Sequence, residues 1–202
     1  MRHTEVDEAA ARTGSAAQRA LIVQAAAETI ADYGLLGASF ARIAERAEAS
    51  GTLAVHHHFK NKQQLIEELV SDVIARLGQL VAARVRQRTT ARGRLLALLR
   101  AHVEFTDTHR VQMSALMAIF TNGGFPFAAA GRARALAPIE AILRDGQTRG
   151  EFRAFDPQVM ASLAQCTLDS LPILLETQPE LDLAVYAHEV TTLFDVATRR
   201  VP

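Results

Sequence analysis

Three consecutive histidines, His56, His57 and His58, are followed within four residues by the chain's only two lysines, Lys60 and Lys62. Imidazoles and ammonium groups serve metal binding, proton transfer and anion contact alike, so spacing has to choose among them. Adjacent helical residues lie about 100° apart, and three imidazoles in a row therefore fan around the axis. They do not converge on one ion as an i, i+4 pair does, and in an extended segment they would alternate sides. No glutamate has a histidine three residues on, so the di-iron carboxylate pattern is absent. No metal and no cofactor is expected. The lysines point elsewhere. Lys62 falls in the first turn after Asn61, where a cation opposes the helix dipole at a cost of ~0.3–1 kcal/mol when exposed. The first carboxylate after it is Glu67. Unpaired backbone N–H groups with Lys60 and Lys62 form an anion site that a phosphate would fit. The plainer alternative is a solvated helix end with one imidazole, His58, buried.

The elements around this stretch read as helices. Strand-type alternation is nearly absent, and Ala, Leu and Arg recur at helical spacing. A first helix spans 16–33 and stops at Gly34. Ser39 caps a short second helix with Phe40, Ile43, Ala44 and Ala47 on one face. Thr52–His58 forms a third. It is too short to stand alone, so Leu53 or Val55, with Phe59, must anchor it, leaving Thr52, His56 and His57 outward. Asn61 caps a long fourth helix, Gln64 completing a capping box, with Leu65, Leu69, Val73, Leu77 and Leu80 as its stripe. Two short helices joined by a tight turn are a helix-turn-helix signal.

Downstream, "AARVRQRTTARGR" is arginine-rich and turn-prone. Helices at 95–105 and 111–120 follow, "TNGGFPF" interrupts, and a helix kinked or restarted at Pro138 runs to Arg149 and ends at Gly150. Asp156 and Pro157 start a helix at 157–176, and a last one spans 182–200. The expected fold class is all-α, about nine or ten helices. The expected organisation is a flexible tail at 1–16, a helix-turn-helix domain at 17–64 and a helical domain at 65–202.

Composition sets the outer limits. With 202 residues, 49% hydrophobic and 22% charged, the chain is globular rather than disordered. A single cysteine, Cys166, excludes a disulfide framework and reads as a small core hydrophobe. The polar N-terminus is not of signal-peptide type, and no apolar run spans a membrane, so a cytoplasmic protein is expected. The net charge of zero denies a general basic footprint. The stretch up to Lys62 is balanced too, with seven basic and seven acidic residues. Any contact with a polyanion must come from local placement.

The stretch "RALIVQAAAETIADYGLLGASFARIAERAEASGTLAVHHHFKNKQQLI" resembles the DNA-binding domain of TetR-type transcriptional regulators. The resemblance rests on a small-residue first helix, Gly34, the cap at Ser39, Ile43, Ala44 and Ala47, then Phe59 with Lys62 three residues on. It departs from the family at Glu48, where glycine is usual. It is one residue longer between Ile43 and Phe59, the extra residue falling around Ser50 and Gly51. Histidine replaces the common tyrosine at His56. The resemblance implies that the third helix enters the major groove. Ser39, Ser50, His57 and Lys62 would contact phosphates, and Thr52, Leu53 and His56 would lie near base edges; only the latter specify sequence.

From about Leu65 onward the chain resembles the family's ligand-binding and dimerisation region, in detail only over "LRDGQTRGEFRAFDP". His102, Phe105, Met113, Met117, Phe120, Gln165 and Asp169 are the effector-binding candidates, each with an ordinary core position as its alternative and Asp169 with a place facing the dimer partner. The last two helices carry apolar faces broad enough for burial on more than one side. The implied protein is a homodimer, most simply a repressor, that binds a palindromic operator in double-stranded DNA and is released by a small molecule. The rivals are a helical-bundle enzyme, for which no nucleotide, nucleophile-elbow or paired-cysteine motif is present, and a helical module that does not bind DNA.

Overall fold

The computed structural model describes residues 2–123 and 129–200, with side chains for 14–123 and 133–200. Ten helices occupy the described residues: α1 Arg2–Gly37, α2 Phe40–Arg46, α3 Thr52–His58, α4 Lys62–Arg86, α5 Ala91–Thr108, α6 Arg110–Thr121, α7 Ala129–Thr148, α8 Pro157–Asp169, α9 Leu171–Thr177 and α10 Leu183–Thr198. Their only strand-like pairing is an isolated antiparallel bridge between Phe152 and Arg199. No helix among the described residues is long and apolar enough to cross a membrane.

The chain divides into two compact units. One is Met1–Val73 with Ser114–Phe125; the other is Ile74–Met113 with Pro126–Pro202. The first unit thus extends beyond the 17–64 read from the sequence. α1 also begins ahead of residue 16, where a tail was expected. The sequence "VDEAAARTGSAAQRA" explains this, since alanine, glutamate and arginine are strong helix formers. Gly34 ends the regular part of α1 as expected, at φ 69° and ψ 169°, a conformation that glycine reaches without steric cost. Of "TNGGFPF", the residues from Gly124 to Phe127 lie outside the described residues.

Ile22, Ile30, Ile43, Val55, Phe59, Leu65 and Leu69 are among the large side chains buried in the first unit. The second unit has its own core. Leu95, Leu98 and Leu99 of α5, Ile139 and Leu143 of α7, Met160 and Leu168 of α8, and Val190 and Phe194 of α10 pack together there.

The helix read at 157–176 is in fact two, α8 and α9. The cause is Pro172, which has no N–H for the carbonyl four residues back and whose ring crowds it. Pro138, by contrast, lies inside a continuous α7.

The motif "LRDGQTRGEFRAFDP" is a corner held from several directions. Gly150 ends α7 at φ 72°. Glu151 N and Phe152 N both donate to Gly146 O, at 2.9 and 3.1 Å, while Gln147 Nε2 donates to Phe155 O at 2.8 Å. Asp156 then caps α8, accepting from Gln158 N and Val159 N. The Phe152 ring lies against Gly146 so closely that a Cβ there would stand 2.1 Å from Phe152 Cδ2. Gly146→Ala is therefore expected to destabilise the second unit by about 1–3 kcal/mol through overpacking, despite alanine's better helix propensity. Denaturant unfolding measures this, and an unchanged midpoint would mean that the ring moves freely.

Candidate nucleic-acid interface

α2 starts where the sequence placed it. Ser39 Oγ accepts from Arg42 N at 3.3 Å. The turn after α2 is built on two residues with positive φ, Glu48 at 50° and Gly51 at 90°. Glu48 therefore occupies a left-handed position that glycine takes more easily, which is the physical content of the glycine usual there in TetR-type domains. Gly51 precedes α3 and absorbs the longer turn, with no side-chain cap on the helix.

α3 is a single anchored piece. Val55 and Phe59 are fully buried, whereas Leu53 is 81% exposed; of the two anchors considered, Val55 is the one used. Thr52, His56 and His57 are exposed and His58 is partly covered. Burial, reinforced by the neighbouring charges of His57 and Arg19, holds the His58 imidazole below its ordinary pKa. His56 stands edge-on to Phe40 of α2, ring centroids 4.9 Å apart, which aims it. Among the described residues no three histidine, cysteine or acidic side chains gather so as to hold a metal ion.

Arg19 went unnoticed in the sequence. Its guanidinium lies 4.2 Å over the Phe59 ring and donates to the His58 carbonyl at 2.6 Å. It also grips both carboxylate oxygens of Glu68, the Nε contact at 2.6 Å. One side chain thus links α1, the carbonyl end of α3 and α4. An arginine 39 and 49 residues from its hydrogen-bond partners leaves no local pattern to find.

The two lysines part company. Asn61 Oδ1 accepts from Gln64 N at 2.8 Å, and Gln64 Oε1 accepts from Lys60 N at 2.8 Å, so the capping box closes one residue early. That leaves the Lys60 side chain exposed. The Lys62 ammonium instead turns inward and donates to the Leu35 carbonyl at the end of α1, and burial lowers its pKa. On sequence grounds Lys62 is either a phosphate contact or an exposed lysine that needs no partner. In the fold it satisfies an orphan helix carbonyl with one of its three donors. Ser50 is exposed in the turn before Gly51.

The effector candidates do not form one set. His102, Phe105, Met113, Gln165 and Asp169 belong to the second unit, Met117 and Phe120 to the first. Phe105 and Met113 are buried, while Met117 and Phe120 are partly covered. His102 is buried with no partner for Nε2, and burial lowers its pKa to about 4. A satisfied core histidine was the alternative, and this imidazole is not satisfied. Gln165 Nε2 donates to Asp169 Oδ1 at 2.7 Å, a helix-surface pair one turn apart rather than a pocket wall. Cys166 is exposed between them, not in the core, because Ala164 and Leu168 take the inward face of α8.

A capped short helix, a tight turn and a second short helix with its polar side free define the helix-turn-helix class. Residues 22–69 match the family model described as "Bacterial regulatory proteins, tetR family". Over these residues the chain carries a domain of that family's type. The HTH-type transcriptional regulator BetI of Cronobacter sakazakii is 34% identical over 100 residues, 48% of this chain and 49% of that protein. BetI of Rhizobium meliloti is 34% identical over 83 residues, 41% of this chain and 40% of that one. The chain thus spans about half the length of the curated relatives it matches or less. Its fold resembles that of AibR, solved in complex with isovaleryl coenzyme A and operator DNA, with a TM-score of 0.75, 19% identity, and coverage of 87% of this chain and 97% of that one. A bacterial regulatory protein in the tetR family from Rhodococcus RHA1 aligns with a TM-score of 0.75 at 21% identity, covering 92% and 98% of the two chains.

Proposed function

We propose that the chain is a transcriptional repressor that binds a palindromic operator as a homodimer and is released by a small-molecule effector. The observation that carries this reading is the division of α3 between two buried anchors, Val55 and Phe59, and an exposed side bearing Thr52, Leu53, His56 and His57. A wedge so anchored can meet DNA without unfolding. Ser39, Ser50, His57, Lys60 and Lys62 contact phosphates on this reading, Lys62 through the ammonium donors that the Leu35 carbonyl leaves over; Thr52, Leu53 and His56 face base edges. The relatives' names as HTH-type regulators support it, as does AibR, which bound operator DNA and an acyl thioester. Such a protein works in the cytoplasm.

The dimer rests on the exposed apolar residues Val159 and Leu163 of α8 and Val185, Leu193 and Val196 of α10. In a two-fold dimer the reading heads stand about one helical turn of DNA apart, ~34–36 Å, or a multiple of it. His102, Phe105 and Met113, all of the second unit, remain the effector candidates. The unpaired Nε2 of His102 supports a ligand with a polar group, because a buried unsatisfied polar atom calls for a partner. An effector would act by favouring a spacing unable to span the half-sites. α4 would carry the change, since it gives residues 62–73 to one unit and 74–86 to the other.

A band-shift with the DNA flanking its own gene, at low salt and without effector, tests the reading; no retained fragment would overturn it. Two substitutions then sort the contacts. His56→Ala is expected to change base preference at one position, by about 1–3 kcal/mol of discrimination. A uniform loss across sequences would make His56 a backbone contact instead. Lys62→Ala is expected to lower affinity for all sequences and to reduce the salt slope by about one unit. Weaker binding with an unchanged slope would assign Lys62 wholly to the Leu35 carbonyl.

A further inference from the structure

The arginine-rich stretch "AARVRQRTTARGR" builds a groove in the second unit. Val85, Arg86, Arg88 and Arg94 line it with Ala141, Ile142 and Asp145 of α7, around a volume of about 400 Å³. That lies within the ~300–1,000 Å³ typical of small-molecule sites. The loop between α4 and α5 is fixed from outside. Arg94 Nε donates to Arg88 O at 3.2 Å, Arg149 Nη1 donates to Thr89 O at 3.0 Å, and Thr90 Oγ1 accepts from Gly93 N at 3.0 Å.

Charge in the groove is unbalanced. Three arginines face one aspartate, an excess of two positive charges. Asp145 is already engaged by Arg94 at 3.1 Å and by Arg149 at 3.5 Å. Neighbouring arginines reach carboxylates too: Arg84 reaches Glu104 and Arg92 reaches Asp195. The Arg86 and Arg88 side chains have no hydrogen-bonding or ionic partner among the described residues. Guanidinium groups suit phosphate because their planar fork matches its oxygens. Val85, Ala141 and Ile142 provide an apolar floor beside them.

We propose that this groove is a binding site for a small phosphate monoester with a short apolar body, the dianion answering Arg86 and Arg88 and the apolar part lying on Ile142. The site is distinct from the effector candidates and does not depend on operator binding. Titration calorimetry of the full chain at low salt, with hexyl phosphate, inorganic phosphate and hexanol as probes, tests it. Hexyl phosphate is expected to bind more tightly than either of the others. Arg86→Glu with Arg88→Glu is expected to weaken it by roughly tenfold or more, since hydrogen bonds to a charged group are the strong ones. Arg86→Gln with Arg88→Gln should do the same with less perturbation, which covers a folding failure of the first pair. Band-shift of the operator fragment should be unaltered in either variant. Equal binding by inorganic phosphate and hexyl phosphate, or unweakened binding by the glutamine variant, overturns the proposal without touching the regulatory reading.

Discussion

Phe59→Ala is expected to destabilise the first unit by about 3–5 kcal/mol and with it to abolish operator binding. Phe59 has no exposed surface and follows α3 directly, its N–H closing the helix on Val55 O at 2.9 Å. A seven-residue helix has no stability of its own; it exists because Val55 and Phe59 hold it. The loss is more than a cavity. Arg19 lies over the ring while binding the His58 carbonyl and Glu68, so removing the ring frees the arginine that closes the end of α3. Domains of this size have only some 5–15 kcal/mol in total, so most of the margin would go. Thermal unfolding followed by circular dichroism, beside band-shift, reads both effects. A variant that melts as the natural protein does would mean that Val55 alone seats the helix.

Leu193→Glu is expected to turn the proposed dimer into a monomer at micromolar concentration and to lower operator affinity by about 10²-fold or more, because linked reading heads gain that much from avidity. Leu193 is 59% exposed on α10 and Leu163 55% exposed on α8, although both helices already bury a full stripe inward through Met160 and Leu168, Val190 and Phe194. A two-fold interface repeats each substitution in both subunits. Each carboxylate would be desolvated without a partner, which is costly beyond the lost apolar area. Light scattering after size exclusion gives the mass directly. A dimer that survives places the interface on another face.

The helices were legible because their signals are local. The Ser39 and Asn61 caps, the stop at Gly34 and the Asp156–Pro157 start each follow from the chemistry of one or two residues acting on neighbouring backbone. The same holds for the inward stripe of α4, whose Leu65, Leu69 and Val73 are buried. Local signals mislead where they conflict. Pro172 sits within an apolar run whose spacing predicts one helix, and it divides that run into two. The beginning of α1 reads as a tail by its polarity, yet its alanines and other helix formers extend the helix.

What the amino-acid sequence by itself determined is the class of fold and the place of the helix-turn-helix segment, since caps, apolar spacing and the aromatic at Phe59 all act within a few residues. Only the tertiary structure decided where individual polar groups go. Lys62 turns to a carbonyl 27 residues away, Arg19 reaches across 49 residues to Glu68, His102 Nε2 is buried without a partner, and Arg86 and Arg88 are left beside an apolar floor. A charged side chain takes whichever partner the packed helices bring near, and that proximity is set by long-range packing, which leaves no periodicity in the chain.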